Sequence, residues 1–106
     1  MIIFLFGIFK MKTYFPYRSD KPEKKFYIIT KGGKKLYFGD SKFEHFTMGH
    51  LDWNRQKAYE RRHQKNEDWN DPDTRGYWSY HFLWQYPTYA EAYDKIKKHL
   101  IDKGYL

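Results

Sequence analysis

Apolar and polar positions change period several times along this chain, and each change marks an element. The run Phe26-Tyr-Ile-Ile-Thr-Lys31, then Gly32-Gly33, then Lys34-Lys-Leu-Tyr-Phe-Gly39 reads as two strands joined by a turn. A two-residue glycine loop permits the positive φ angles of a type I′ turn, so the pattern predicts a β-hairpin. Its register would set Ile29 against Leu36, Tyr27 against Phe38 and Ile28 against Tyr37. One face would then carry Tyr27, Ile29, Leu36 and Phe38, the other Phe26, Ile28 and Tyr37. With both faces apolar, the hairpin should be covered on both sides or pair with a further strand. Upstream, Pro16 cannot donate to a ladder, which predicts an edge position or an irregular crossing for Lys12–Arg18.

The period then becomes helical. Asp52 is a good N-cap, because its carboxylate can accept from the free amides of a first turn. Arg55 to Lys65 has no Gly, Pro or Val and favours a helix. Its few apolar residues, Trp53, Ala58 and Tyr59, form no wide stripe, so this helix should bury only a narrow seam. Asn70-Asp71-Pro72-Asp73 predicts turns bonded by side chains. Tyr77–Tyr86 is apolar nearly all round and pairs Trp78/Phe82 and Tyr80/Trp84 at helical spacing, which predicts a buried helix, with a strand as the alternative. Pro87 ends it. Thr88 and Glu91 form a capping box for a last helix, and Tyr89, Ala92, Tyr93, Ile96 and Leu100 supply its buried stripe. Gly104 is a suitable stop. The sum is one α+β domain over 1–106, a small antiparallel sheet based on a β-hairpin and packed with two to three helices.

Charge and composition add a surface to this fold. The 106 residues carry a formal net charge of +7, with 11 Tyr, 9 Phe and 4 Trp. Such a balance favours acidic partners, above all nucleic acid, and the rings that cannot all be buried are available for stacking or packing. On the predicted helix Arg55, Lys57, Arg61, Arg62 and Lys65 fall on one broad arc, at roughly 100° per residue. They are the candidate phosphate or carboxylate contacts, with Trp53 as a stacking or packing anchor. Lys31, Lys34 and Lys35 at the hairpin tip form a secondary basic patch. The opposing expectation is that Glu67, Asp68, Asp71 and Asp73 fold back onto the helix and neutralise it.

Other chemistry is not supported. The chain has no cysteine, so thiol catalysis, disulfides and Cys-ligated zinc are excluded. His45 and His50 are five apart, a spacing that does not bring two imidazoles together on a helix. The acidic loop fails the calcium pattern, since Pro72 stands at the fifth position counted from Asp68 and no Gly follows. No metal, cofactor or catalytic group is expected. Met1–Phe9 is apolar but too short to span a bilayer as a helix and lacks a signal-peptide pattern. It predicts an extra strand at the core or at a homo-oligomer contact, an exposed tail, or a start that really lies at Met11. No membrane partner is expected.

Phe38-Gly39, Phe46, His50, Arg55–His63, Asn66–Gly76, Trp78-Ser79, Leu83-Trp84 and Pro87 together resemble a family of small proteins of unknown function from tailed phages and large DNA viruses. The resemblance covers roughly Lys24 to Thr88, with its most specific block at Arg62–Trp84. The chain departs from that pattern at Leu51–Asn54 and in its C-terminal helix, and Met1–Arg18 lies outside it. The resemblance implies a viral setting and a host cytoplasmic location. It carries no catalytic or binding residues across.

Three classes of function follow. A binding protein acting on nucleic acid or a host nucleoprotein fits charge, rings and size. In a viral setting that includes inhibition of an RNA-guided defence nuclease (anti-CRISPR type). A virion component is the alternative, and a metal-dependent nuclease would require His63 and His81 to converge with Asp68, Asp71 or Asp73.

Overall fold

The computed structural model describes residues 11–106. The expectations for Met1–Phe9, an added strand and an oligomer contact, lie outside them. Three antiparallel strands, β1 (Tyr17–Arg18), β2 (Lys24–Ile29) and β3 (Lys35–Asp40), form one sheet in the order β1-β2-β3. The short β1 is an edge strand directly after Pro16, where the missing N–H costs no central ladder bond.

The hairpin forms one residue away from the expected register. Phe26 faces Phe38, Tyr27 faces Tyr37, Ile28 faces Leu36 and Ile29 faces Lys35. Thr30 N–H donates to Lys34 O at 2.8 Å, and Gly33 N–H donates to Thr30 O at 2.9 Å. The loop therefore holds three residues, Lys31-Gly32-Gly33, and of these glycines only Gly33 has a positive φ, at 87°. A type I turn closed by a left-handed glycine is the usual three-residue solution, and it corrects the two-residue type I′ expectation. Lys34 N–H also donates to the Thr30 hydroxyl at 3.0 Å, which anchors the wider loop. The consequence is a sorting of faces. Phe26, Ile28, Leu36 and Phe38 are all buried on one side, whereas the expected register had divided them between two.

Three helices follow. α1 (Trp53–His63) is capped by Asp52, whose carboxylate accepts from Asn54 and Arg55 N–H. α2 (Arg75–Trp78) begins at the Thr74 hydroxyl and widens into a π-helical segment over Ser79–Trp84. The buried helix expected over Tyr77–Tyr86 is this continuous pair. α3 (Tyr89–Asp102) starts with Glu91 N–H on the Thr88 hydroxyl at 3.2 Å and ends at Gly104, φ 80°. Between β3 and α1 the chain makes an irregular turn over Phe46–His50, with Met48 and Leu51 both left-handed.

The core is built from rings. Phe82 meets Phe26 edge-on at 5.0 Å and Tyr89 face-on at 5.1 Å, joining the sheet to α3. Trp78 is fully buried and its indole N–H donates to Pro72 O at 2.8 Å, which satisfies the one polar atom it carries inside. Ala92, Ile96 and Leu100 close the core from α3, as their spacing predicts. Among the described residues no helix is long and apolar enough to cross a membrane.

Candidate nucleic-acid interface

α1 attaches through a narrow seam. Only Gln56 and Tyr59 are buried on it. Tyr59 lies between Trp84, at 4.4 Å and nearly parallel, and His63, at 4.1 Å. Burial pushes the Tyr59 hydroxyl well above its ordinary pKa. Gln56 was not legible as a buried residue. Its amide donates to Gln85 O at 3.3 Å, a partner nearly thirty positions away that local pattern cannot reveal.

The remaining surface of α1 faces water. Arg55, Lys57, Arg61, Arg62 and Lys65 are all exposed. Among the described residues Lys57, Arg61, Arg62 and Lys65 have no carboxylate within 4.0 Å, and Arg55 has a single loose one, Glu44 at 3.9 Å. The following loop does not fold back to neutralise them, because its carboxylates are engaged elsewhere. Glu67 lies 3.3 Å from His63 and accepts from the Trp69 indole at 3.0 Å. Asp68 accepts from Asn70 N–H and Asp71 from Asp73 N–H, the side-chain-bonded turns that the sequence predicts. Asp73 accepts from the Tyr14 hydroxyl at 2.5 Å. Glu60, on α1 itself, accepts from Tyr80 at 2.7 Å.

Helical geometry divides the five cations. Trp53, Lys57 and Arg61 recur every fourth residue and so rise along one row, about 6 Å apart. Lys65 follows in the turn after the helix. Trp53 is 55% exposed and rests one side on Phe46, ring centroids 4.5 Å apart, so it is both held and available. Arg55 and Arg62 lie on the opposite flank. There they line a groove of about 510 Å³, with Arg75 on its wall and Tyr59 and Trp84 beneath. Arg75 was missed in the sequence because it stands alone beside Gly76. In the fold its Nε donates to Tyr37 O at 3.2 Å, which brings a third guanidinium to the groove. Gly76 permits the packing behind it, since a Cβ there would stand 2.8 Å from the Glu67 carboxyl carbon.

The hairpin tip behaves differently. Lys31 and Lys34 are exposed, but Lys35 turns back over the Tyr27 ring at 4.1 Å and the Tyr37 ring at 5.0 Å, with Asp20 at 3.4 Å. It belongs to the sheet surface rather than to an outward patch.

The histidines do not assemble into a catalytic or metal cluster. Among the described residues no three His, Cys, Asp or Glu side chains converge. His63 pairs with Glu67, while His81 lies against Trp69 O at 2.8 Å and Gln85 at 2.9 Å. Neither meets Asp68, Asp71 or Asp73. His45 sits 2.6 Å from the Lys25 ammonium, and burial, followed by that neighbouring charge, lowers its pKa to about 4. It is a neutral acceptor for Lys25.

No family model, curated protein or solved structure matches the chain.

Proposed function

We propose that this chain is a non-enzymatic nucleic-acid-binding protein whose contact surface is the outward side of α1. The observation that carries the reading is the row Trp53, Lys57 and Arg61, with Lys65 beyond it. Among the described residues its exposed cations have no carboxylate within 4.0 Å, and a part-seated indole stands at one end. Cations of this kind release counterions when they meet phosphates, which drives association without reading sequence. The indole adds a face on which an unpaired base can stack, so single strands should be preferred to duplexes. In the viral setting implied by the resemblance, the finer form of the reading is a protein that engages a host nucleoprotein, including an RNA-guided defence nuclease, through its nucleic-acid channel.

Fluorescence anisotropy with a labelled single-stranded RNA tests this. The double variant Lys57→Glu/Arg61→Glu should lose about 100-fold in affinity, because it removes two phosphate contacts of the row and adds repulsion. Its thermal midpoint should stay within a few degrees of the parent, since neither side chain is buried or paired. Undiminished affinity in the folded variant would place the contact surface elsewhere. A pull-down from host lysate, with and without nuclease, separates the finer readings: loss on digestion means a nucleic-acid bridge, retention means recognition of the protein itself.

A further inference from the structure

The groove beside α1 has features that a phosphate-tracking row does not need. At about 510 Å³ it falls within the size range of small-ligand sites. Three guanidinium groups line it from two separate elements, Arg55 and Arg62 from α1 and Arg75 from α2. Guanidinium is the side-chain group best shaped for two-pronged contact with a phosphoryl group. Arg75 is oriented by its Nε bond to Tyr37 O, and its terminal nitrogens have no protein partner among the described residues. Arg62 has none either.

Three carboxylates share the lining, and none of them lies within 4.0 Å of Arg62 or Arg75. Glu67 is held by His63 and Trp69. Asp40 accepts from Lys42 N–H at 2.9 Å and lies across the strands from Lys24. Glu44 stands 3.9 Å from Arg55 and is the one that offsets a groove arginine. Arg62 and Arg75 therefore keep their charge toward the cavity. The floor is Tyr59 stacked on Trp84. On the rim Phe43 is 64% exposed, a ring with an open face.

We infer that this groove is a second binding site, for the phosphoryl group of a nucleotide unit, held by Arg62 and Arg75 with the base against Phe43. Part of this rests on the nucleic-acid reading of α1, because a phosphorylated strand end seated in the groove would run on along the same helix. The same chemistry is offered by a free mononucleotide.

Calorimetric titration of the full chain with AMP, with adenosine, and with one short oligonucleotide bearing either a 5′-phosphate or a 5′-hydroxyl tests the inference and names the source. AMP should bind and adenosine should not. Arg75→Ala should weaken AMP about tenfold, the scale of a lost charge-assisted contact, and leave the 5′-hydroxyl oligonucleotide within about twofold. Lys57→Glu/Arg61→Glu should do the reverse. A tighter 5′-phosphorylated oligonucleotide assigns the groove to strand ends. AMP binding without that gain assigns it to free nucleotides, and both support the site. If AMP binds while no oligonucleotide does, the groove stands and the α1 reading fails. Should Arg75→Ala not fold, Arg62→Ala is read in the AMP arm alone, with the same expected loss. The inference is overturned if neither AMP nor the 5′-phosphate outperforms its hydroxyl control, or if the folded arginine variant binds AMP as the parent does.

Discussion

Two surfaces of this molecule carry cations beside aromatic rings, and they are built to opposite effect. On the outer face of the sheet Tyr17, Tyr27 and Tyr37 form a ladder, with centroids 5.6 and 5.8 Å apart. Lys35 lies over two of these rings, Lys21 over Tyr37 at 4.3 Å, and Asp20 binds both Lys35 and the Tyr37 hydroxyl. Each charge there already has a partner within the protein. Among the described residues the cations on α1 have none within ion-pair range apart from Arg55, and Trp53 at the head of the row keeps more than half its surface open. A composition count treats the two surfaces alike. What separates them is where the carboxylates go: Asp20 to the sheet, Asp68 and Asp71 into their own loop, Asp73 to Tyr14, and Glu67 to His63 and Trp69 rather than to the helix cations.

If the sheet side holds its charge internally, it should also be the acid-sensitive half. His45 accepts from Lys25, a β2 residue, and its folded pKa of about 4 lies below its ordinary 6.5. Between those values the unfolded chain binds the proton that the folded chain refuses, so stability falls as pH drops through that window. Burial also lowers His81 and His50, and both add to the loss with the same sign. Chemical denaturation at a series of pH values should show a decline of roughly 3 kcal/mol from His45 by pH 4. His45→Asn should flatten the curve between pH 6 and 4, measured against its own neutral-pH stability. A parent protein equally stable across that range would contradict the assignment.

A smaller effect probes the helix. Trp53→Ala should weaken single-stranded RNA about tenfold, the scale of one lost base stack, and weaken duplex much less. Equal losses on both would mean that the indole only packs. Smaller still is a change that gives α1 the neutralisation found on the sheet. Gln64→Glu sets a carboxylate three positions from Arg61, a pairing worth a few tenths of a kcal/mol. It should lower RNA affinity about threefold by pairing and by local charge, and cost a few tenths of a kcal/mol of stability, because a carboxylate at the helix C-terminus opposes the dipole and stands four positions from Glu60. Unchanged affinity would show that Arg61 does not contribute.

The order of elements was readable because it depends on local chemistry. Asp52, Thr88, Pro87 and Gly104 mark the boundaries where the sequence places them, and the stripe Ala92, Ile96, Leu100 is the buried one. The hairpin was readable as a hairpin but not in register. Gly32-Gly33 satisfies either loop length, and what chooses between them is the Thr30 hydroxyl bond together with the burial of four apolar side chains on one face. The row on α1 was visible as charge on one arc, and the seating of Trp53 on Phe46 was not, because it requires the left-handed turns at Met48 and Leu51. The groove was invisible for a different reason. Arg75 reaches it only because the 67–74 loop brings the start of α2 against β3, a contact between residues nearly forty positions apart.

The central claim concerns which cations are free to release counterions, and the salt dependence of binding measures that directly. The slope of log K against log salt should shallow by roughly 1.5 in Lys57→Ala/Arg61→Ala, two phosphate contacts on a single strand, and stay at the parent value in Lys21→Ala/Lys35→Ala. A slope that shallows with the sheet pair and holds with the helix pair would contradict the account.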